Sequence, residues 1–333
     1  MKILFPLLIV LIFLLSGCST SAVIPPETAI SPTLIPPTLI PPTPIPTKTA
    51  IPPTPTQLPG IGSTQVSPKD GMTMLYVPDG EFTMGGSADA AIAECQKLFS
   101  NCSRDLFTGE EPEHTVDLDA FWIDQTEVTN TMFMMFVNET SYQTDAEKAG
   151  LSKTFTGSGM NKINGADWQS PQGPNSNLTG HEEHPVVQVS WNDASAYCVW
   201  AGRKLPTEAE WEKVARGTDK RVFPWGNETP YCNLANLLGC KGGTTIVGSY
   251  TTGMSPYGAL DMAGNVWEWV ADWYGPYTAG TVTNPQGPSS GDYRTCRGGS
   301  WFNDFVSLRS VSRCKSPQTN SSNVLGFRCA FSP

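Results

Sequence analysis

The sequence predicts an irregular α+β domain, low in regular secondary structure and disulfide-bonded, occupying residues 67–333 of a 333-residue chain. Three observations carry this. Glycine (31) and proline (29) punctuate the chain so often that elements must be short and loops long. Only a few segments show helical periodicity, among short apolar runs of strand character. Nine cysteines stand in a chain that begins with an export signal, which favours disulfides over free thiols.

At the N-terminus, Lys2 precedes an apolar run from Ile3 to Leu15, too short for the roughly 17–25 residues of a membrane-spanning helix and suited to a signal-peptide core. The run ends in Leu15-Ser16-Gly17-Cys18, which resembles the bacterial lipoprotein cleavage box. Residues 1–17 are therefore read as a lipoprotein signal peptide and Cys18 as the lipidated N-terminal residue, which places the mature chain outside the cytoplasm, lipid-anchored to the cell membrane or outer membrane. An ordinary secretory signal with a chance cysteine would export the domain equally.

Residues 18–66 form the tether. From Ile24 to Pro59 the composition is Pro, Thr and Ile with almost no charge. Proline fixes φ and removes donors, so the stretch favours extended polyproline II and cannot pack a core. At about 3.1 Å per residue it spans on the order of 100 Å. The alternative reading is a proline-rich docking site for another protein.

Residues 67–333 suffice for one domain with a sizeable core, and all ten tryptophans lie there. A formal net charge of −10 excludes a nucleic-acid surface, which needs clustered Lys and Arg. A helix is expected from near Thr129, burying Phe133, Phe136 and Val137. A second is expected from a cap at Asn192 or Asp193, with Ala194, Tyr197, Cys198 and Ala201 on one face and Gly202 as the stop. In the third, Thr207-Glu208-Ala209-Glu210 is a capping box, with Trp211, Val214 and Ala215 inward and Gly217 ending it. Short strands are expected at Glu81 to Met84, Val186 to Ser190 and Gly326 to Phe331, in small antiparallel sheets.

Without Cys18, eight cysteines remain. Cys95 with Cys102 and Cys232 with Cys240 are close enough to clip surface loops, although connectivity is not fixed by sequence. Asp261 to Trp269 has the composition of a calcium loop: Asp261 and Glu268 supply carboxylates, and Gly264 and Val266 supply carbonyls around a tight Gly264-Asn265 turn. The three histidines are His114, His181 and His184. His181-x2-His184 can in principle chelate a metal with Glu182, against the alternative of loop or core histidines. No nucleophile elbow or phosphate loop occurs.

Several blocks recur in one order: Gly80-Glu81-Phe82-Thr83-Met84-Gly85, His184-Pro185-Val186-Val187, Arg203-Lys204-Leu205-Pro206-Thr207-Glu208-Ala209-Glu210-Trp211-Glu212, Phe223-Pro224-Trp225-Gly226, Gly264-Asn265-Val266-Trp267-Glu268-Trp269, Arg297-Gly298-Gly299-Ser300-Trp301 and Gly326-Phe327-Arg328-Cys329. From about Val77 onward the chain resembles the formylglycine-generating enzymes, the sulfatase-modifying factor family. The resemblance implies an irregular α+β fold related to C-type-lectin-like domains. It implies structural Ca2+ at Asp261, Gly264, Val266 and Glu268, and a Cys198–Cys329 disulfide that leaves Cys296 to Cys314. A second family calcium position near Asn236 and Leu237 lacks its aspartate in Gly239 to Thr245.

It also implies an oxidase that converts a substrate cysteine to formylglycine with Cu(I) held by two cysteines after the Gly-Gly-Ser turn. Here the first cysteine position falls at Asn303, and the second has no counterpart among Phe305, Val306 and Ser307. Amide and hydroxyl oxygens do not replace thiolates for Cu(I), so copper is not expected. No catalytic residue is assigned. The family-equivalent pocket comprises Ser300, Trp301, Asn303, Arg309 and Arg313. Its arginines either engage an extended peptide or brace the fold through buried ion pairs. The expected function is recognition of a protein or peptide ligand. The alternative is an active oxidase, formylglycine-generating or dependent on another metal.

Overall fold

The computed structural model describes residues 59–97, 99–156 and 159–332. The signal sequence, Cys18 and most of the tether lie outside the described residues. Among these, no helix is long and apolar enough to cross a membrane.

Four small sheets form the frame. In the first, β1 (Thr64–Val66), β2 (Thr73–Val77), β5 (Phe121–Asp124) and β13 (Ala330–Phe331) pair antiparallel in that order. The second has the order β11 (Arg313–Ser316), β10 (Arg294–Arg297), β8 (Trp267–Trp273), β12 (Leu325–Phe327). Here β12 runs parallel to β8 and the other pairs are antiparallel. β3 (Gly80–Met84) and β4 (His114–Leu118) make a hairpin-like pair that β9 (Thr281–Thr283) joins in parallel. β6 (Leu151–Thr156) and β7 (Gly159–Asn164) form a separate ribbon.

The five α-helices of the described residues follow local chemistry. α2 (Asn130–Thr140) starts at Thr129, whose hydroxyl accepts from Met132 N, and buries Phe133 and Phe136. α5 (Glu208–Arg216) has the Thr207–Glu210 capping box and stops at Gly217, with Trp211, Val214 and Ala215 fully buried. α4 (Trp191–Trp200) is capped by Ser190 rather than Asn192 or Asp193: Asp193 is its third residue, its N–H donates to Ser190 Oγ and its carboxylate accepts from Ser190 N, completing a capping box. α1 (Ala88–Cys95) and α3 (Asp145–Ala149) have too little apolar periodicity to stand out in the sequence.

Two expected strands differ. Val186 to Ser190 is not a strand, because Gln188 adopts φ 61° and its amide donates to Lys153 O and Pro171 O. That anchors a crossing segment instead of a sheet edge. Gly326 to Phe331 splits between two sheets: Arg328 turns inward to Glu268 and Cys329 binds Cys198, so β12 and β13 diverge.

One core joins Phe133, Phe136, Trp168, Tyr197 and Phe327 in edge-to-face and stacked contacts, with Trp269 packed among them, and a second packs Trp211 and Val214 of α5 against β2, β3 and β5. Four disulfides, Cys95–Cys102, Cys198–Cys329, Cys232–Cys240 and Cys296–Cys314, engage every cysteine of the described residues. Cys296 and Cys314 lie directly opposite each other in the β10–β11 register.

Candidate functional site

The turn after β10 is fixed from both sides. Gly298 O accepts from Gly264 N, and Trp301 N donates to Asn265 O, so the Gly-Gly-Ser turn and the Gly264-Asn265 turn hold each other. Gly299 has φ 76°, and a Cβ there would meet Leu308 Cδ1 at 2.8 Å and Ser307 O at 3.0 Å, so the returning loop can close only over glycine. Ser300 is fully buried and its hydroxyl donates to Asn303 Oδ1 at 2.6 Å. Asp304 then caps a 3-10 turn, Phe305–Leu308, by accepting from Val306 N. The segment that would carry a thiolate pair is thus a closed amide–hydroxyl contact followed by a capped turn.

Buried arginines hold this loop to the body. Arg309 forks onto Glu110 at 2.8 and 2.6 Å. Arg313 binds both oxygens of Glu208, and the carbonyls of Gly109 and Gly275. Arg297 pairs with Glu212 and caps the carbonyls of Ser310, Val311 and Ser312. Of the two roles open to Arg309 and Arg313, bracing the fold is the one the structure contains: both guanidiniums are engaged, and their side chains are 2% and 3% exposed.

The five pocket residues are not brought into one pocket. Trp301 donates its indole N–H to Asn323 O and borders a small cavity of about 180 Å3 with His181 and Asn130. Ser300 and Asn303 bond to each other. Arg309 and Arg313 stand instead in the wall of an open cleft of about 790 Å3. The cleft is lined by Trp267 of β8, Tyr274, Lys315 of β11 and the segment around Phe99 and Leu106. Phe99 and Leu106 are exposed, and Phe99 stacks on Phe305 at 5.6 Å, joining the disulfide-clipped loop after α1 to the 3-10 turn. Lys315 Nζ lies 5.2 Å from the Tyr274 ring and 5.5 Å from the Tyr293 ring, and no ion pair of the described residues involves it. Sequence reasoning missed Trp267, Tyr274, Lys315, Phe99 and Leu106. The only sequence signal was the neighbourhood of Trp267 to Glu268 and of Phe99 and Leu106 to Cys102.

The calcium-loop residues lie beneath the turn. Asp261 (φ 58°) accepts from Gly248 N. Glu268 accepts from Trp211 Nε1 and from Arg328 on both oxygens. Glu127, fully buried, accepts from Asn265 Nδ2 and Val266 N. Burial, and the Asp261 and Glu268 charges beside it, push the Glu127 carboxyl well up, and burial pushes Asp261 up to about 6. The one guanidinium here, Arg328, pairs with Glu268, and Asp261 and Glu127 are left without a cation, an excess that a divalent cation would neutralise. Among the described residues, no group of three or more His, Cys, Asp or Glu side chains converges as a metal site, so backbone carbonyls would have to complete any cage.

The same observation bears on the histidines. The His181 and His184 rings are 4.6 Å apart, but His184 Nδ1 contacts Thr244 Oγ1, His181 Nδ1 contacts Thr179 O, and no third ligand joins them. Burial holds His184 below the usual imidazole range.

A family model described as "Sulfatase-modifying factor enzyme 1-like domain" matches residues 62–333. The chain is 37% identical over 292 residues to the formylglycine-generating enzyme of Mus musculus, covering 77% of this chain and 74% of that protein. It is 38% identical over 299 residues to the formylglycine-generating enzyme of Thermomonospora curvata, covering 78% and 93%. It is also 36% identical over 292 residues to a Mus musculus protein named inactive C-alpha-formylglycine-generating enzyme 2, covering 78% and 85%. Among solved structures, PvdO from Pseudomonas aeruginosa superposes with a TM-score of 0.61 at 24% identity, covering 83% of this chain and all of that one, a likeness of fold.

Proposed function

Because this chain belongs to the sulfatase-modifying factor, or formylglycine-generating enzyme, family, we propose that it keeps the family scaffold as a recognition module and does not make formylglycine. The observation that carries this reading is Asn303, hydrogen-bonded to Ser300 in the place of the first copper cysteine, with every described cysteine engaged in a disulfide. Cu(I) needs soft ligands, and the loop offers only amide and hydroxyl groups. The similarity to a relative named inactive supports the same direction.

The ligand is an extended peptide in the 790 Å3 cleft. Lys315 provides a charge for a carboxylate, Trp267 and Tyr274 provide flat apolar surface, and the exposed Phe99 and Leu106 provide an apolar rim. The module is exported and anchored through lipid on Cys18. Ca2+ binds at Asp261 and Glu268 with the carbonyls of Gly264 and Val266. Its role is structural, since it would neutralise the buried acids under the turn.

The test incubates the full chain with Cu(I), O2 and a cysteine peptide of sulfatase type, and follows the aldehyde by mass. In parallel, a peptide library is screened against wild type, Tyr274→Ala and Lys315→Glu. Expected are no aldehyde, and a bound peptide that both variants lose without a change in melting temperature. Aldehyde formation would overturn the reading. If it required prior reduction, Cys296 and Cys314 would become the copper ligands of the alternative, an active oxidase.

A further inference from the structure

Arg313 also borders a second cavity, of about 580 Å3, which the peptide reading leaves unused. Met84, Val282, Pro285 and Pro288 give it apolar walls, His114, Glu208, Asp272 and Tyr277 supply the inner polar part, and the exposed Thr278, Thr283 and Gln286 form a polar rim. The hydrogen-bond inventory of that part is one-sided. Four of the five Arg313 N–H groups are engaged by Glu208 or by a carbonyl, and the Tyr277 hydroxyl donates to Glu208 Oε1 at 3.0 Å. His114 Nδ1 is 3.0 Å from Pro112 O, and a carbonyl only accepts, so the proton sits on Nδ1 and Nε2 keeps a free lone pair. Asp272 Oδ2 accepts from Glu208 N, whereas Oδ1 has no partner. The two buried side chains left with free acceptors, His114 and Asp272, are 8% and 4% exposed.

The charge is one-sided too. Arg313 is matched by Glu208, and Asp272 forms no ion pair of its own among the described residues. Burial and the neighbouring Glu208 push the Asp272 carboxyl up to about 7, the response of a buried carboxylate without a cation. Its place on β8 beside the start of α5 accounts for Oδ2, which accepts from Glu208 N, and leaves Oδ1, the His114 acceptor and the open volume without a role.

We propose that this cavity binds a primary ammonium group on an aliphatic chain, the end of a lysine side chain or of a free alkylamine, donating to Asp272 Oδ1 and His114 Nε2. An ammonium is the complement of what the wall lacks: three donors, no acceptor and a positive charge. Its methylenes lie along Met84, Val282 and Pro285, as the stems of long cationic side chains do on apolar surface. The site shares only the Arg313 wall with the peptide cleft, and its test does not depend on the peptide reading.

The test is calorimetric titration of the full chain at neutral pH with Nα-acetyl-lysine amide and with pentylamine, against the uncharged Nα-acetyl-norleucine amide. The expected result is binding of the amines and none of the norleucine amide. Binding of both amines assigns a free or side-chain ammonium, and binding of the lysine amide alone assigns a lysine within a peptide. Asp272→Asn keeps an oxygen for Glu208 N and removes the charge, and it should weaken binding by about tenfold or more. Should that variant fail to fold, Val282→Phe, which fills the cavity without touching its ion pair, should abolish binding. The proposal is overturned if neither amine binds, if the norleucine amide binds as tightly, or if Val282→Phe binds amines like wild type.

Discussion

Arg309→Ala separates the two roles that the sequence leaves open for this residue. The guanidinium forks onto Glu110, donates through Nε to Val306 O and lies 4.8 Å from the Phe107 ring, with both partners' side chains 2% and 5% exposed. Truncation leaves Glu110 buried without a cation and frees the 3-10 turn from the loop after α1. Breaking a buried pair by removing one partner costs about 3–5 kcal/mol. At about 2–4 °C per kcal/mol for a domain of this size, the melting temperature should fall by roughly 6–20 °C. Burial already pushes the Glu110 carboxyl up, and removing the cation pushes it further the same way, which limits the loss. The double variant Arg309→Met with Glu110→Leu removes both charges and should regain most of the stability, because an apolar pair of similar volume often matches a buried ion pair. Denaturant unfolding of the four members of this cycle gives the coupling directly. A single variant within about 1 kcal/mol of wild type that has lost peptide binding would refute the bracing role and return Arg309 to the ligand.

Other outcomes follow from the same contacts. Asp124 and Asp272 are both pushed up to about 7, chiefly by burial, so the folded state holds protons that the unfolded chain releases. Their contribution to stability is complete below about pH 4 and is lost as the pH rises through about 7. Urea midpoints measured across that window should fall with pH, and the fall should be shallower in Asp272→Asn. Parallel slopes would disprove the assignment. Gly264→Ala puts a Cβ 2.3 Å from Asn236 O at φ 82° and should cost about 2–4 kcal/mol in denaturant melts. Replacing Cys198 and Cys329 by serine opens a link of 131 residues and should cost about 5 kcal/mol by chain entropy. The same exchange at Cys95 and Cys102, separated by 7, should cost about 2 kcal/mol, so equal losses would contradict the entropic account. With Ca2+ at the Asp261 loop, chelation should lower the melting temperature of wild type and leave Asp261→Ala unchanged. A wild type indifferent to chelator would remove calcium from the fold.

The sequence by itself determined what depends on near neighbours. The Thr207–Glu210 box, Thr129 as a cap, Gly217 as a stop and the inward Trp211 and Phe133 are set within a helical turn or two, where hydrogen-bond reach and periodicity act without the rest of the chain. The ordered motif blocks identified the family. Tertiary structure alone decided the partners. Arg309 meets a carboxylate 199 positions away, a choice between bracing and binding that no local pattern contains. Gln188 leaves the extended region because carbonyls of Lys153 and Pro171 reach its amide, and Arg328 divides the last strand because Glu268 waits inside. The cleft joins Phe99, Trp267, Tyr274 and Lys315 from separate segments. Burial, which raises the Asp272 carboxyl and isolates its free oxygen, is likewise a property of the packed chain: desolvation depends on what surrounds a group in space.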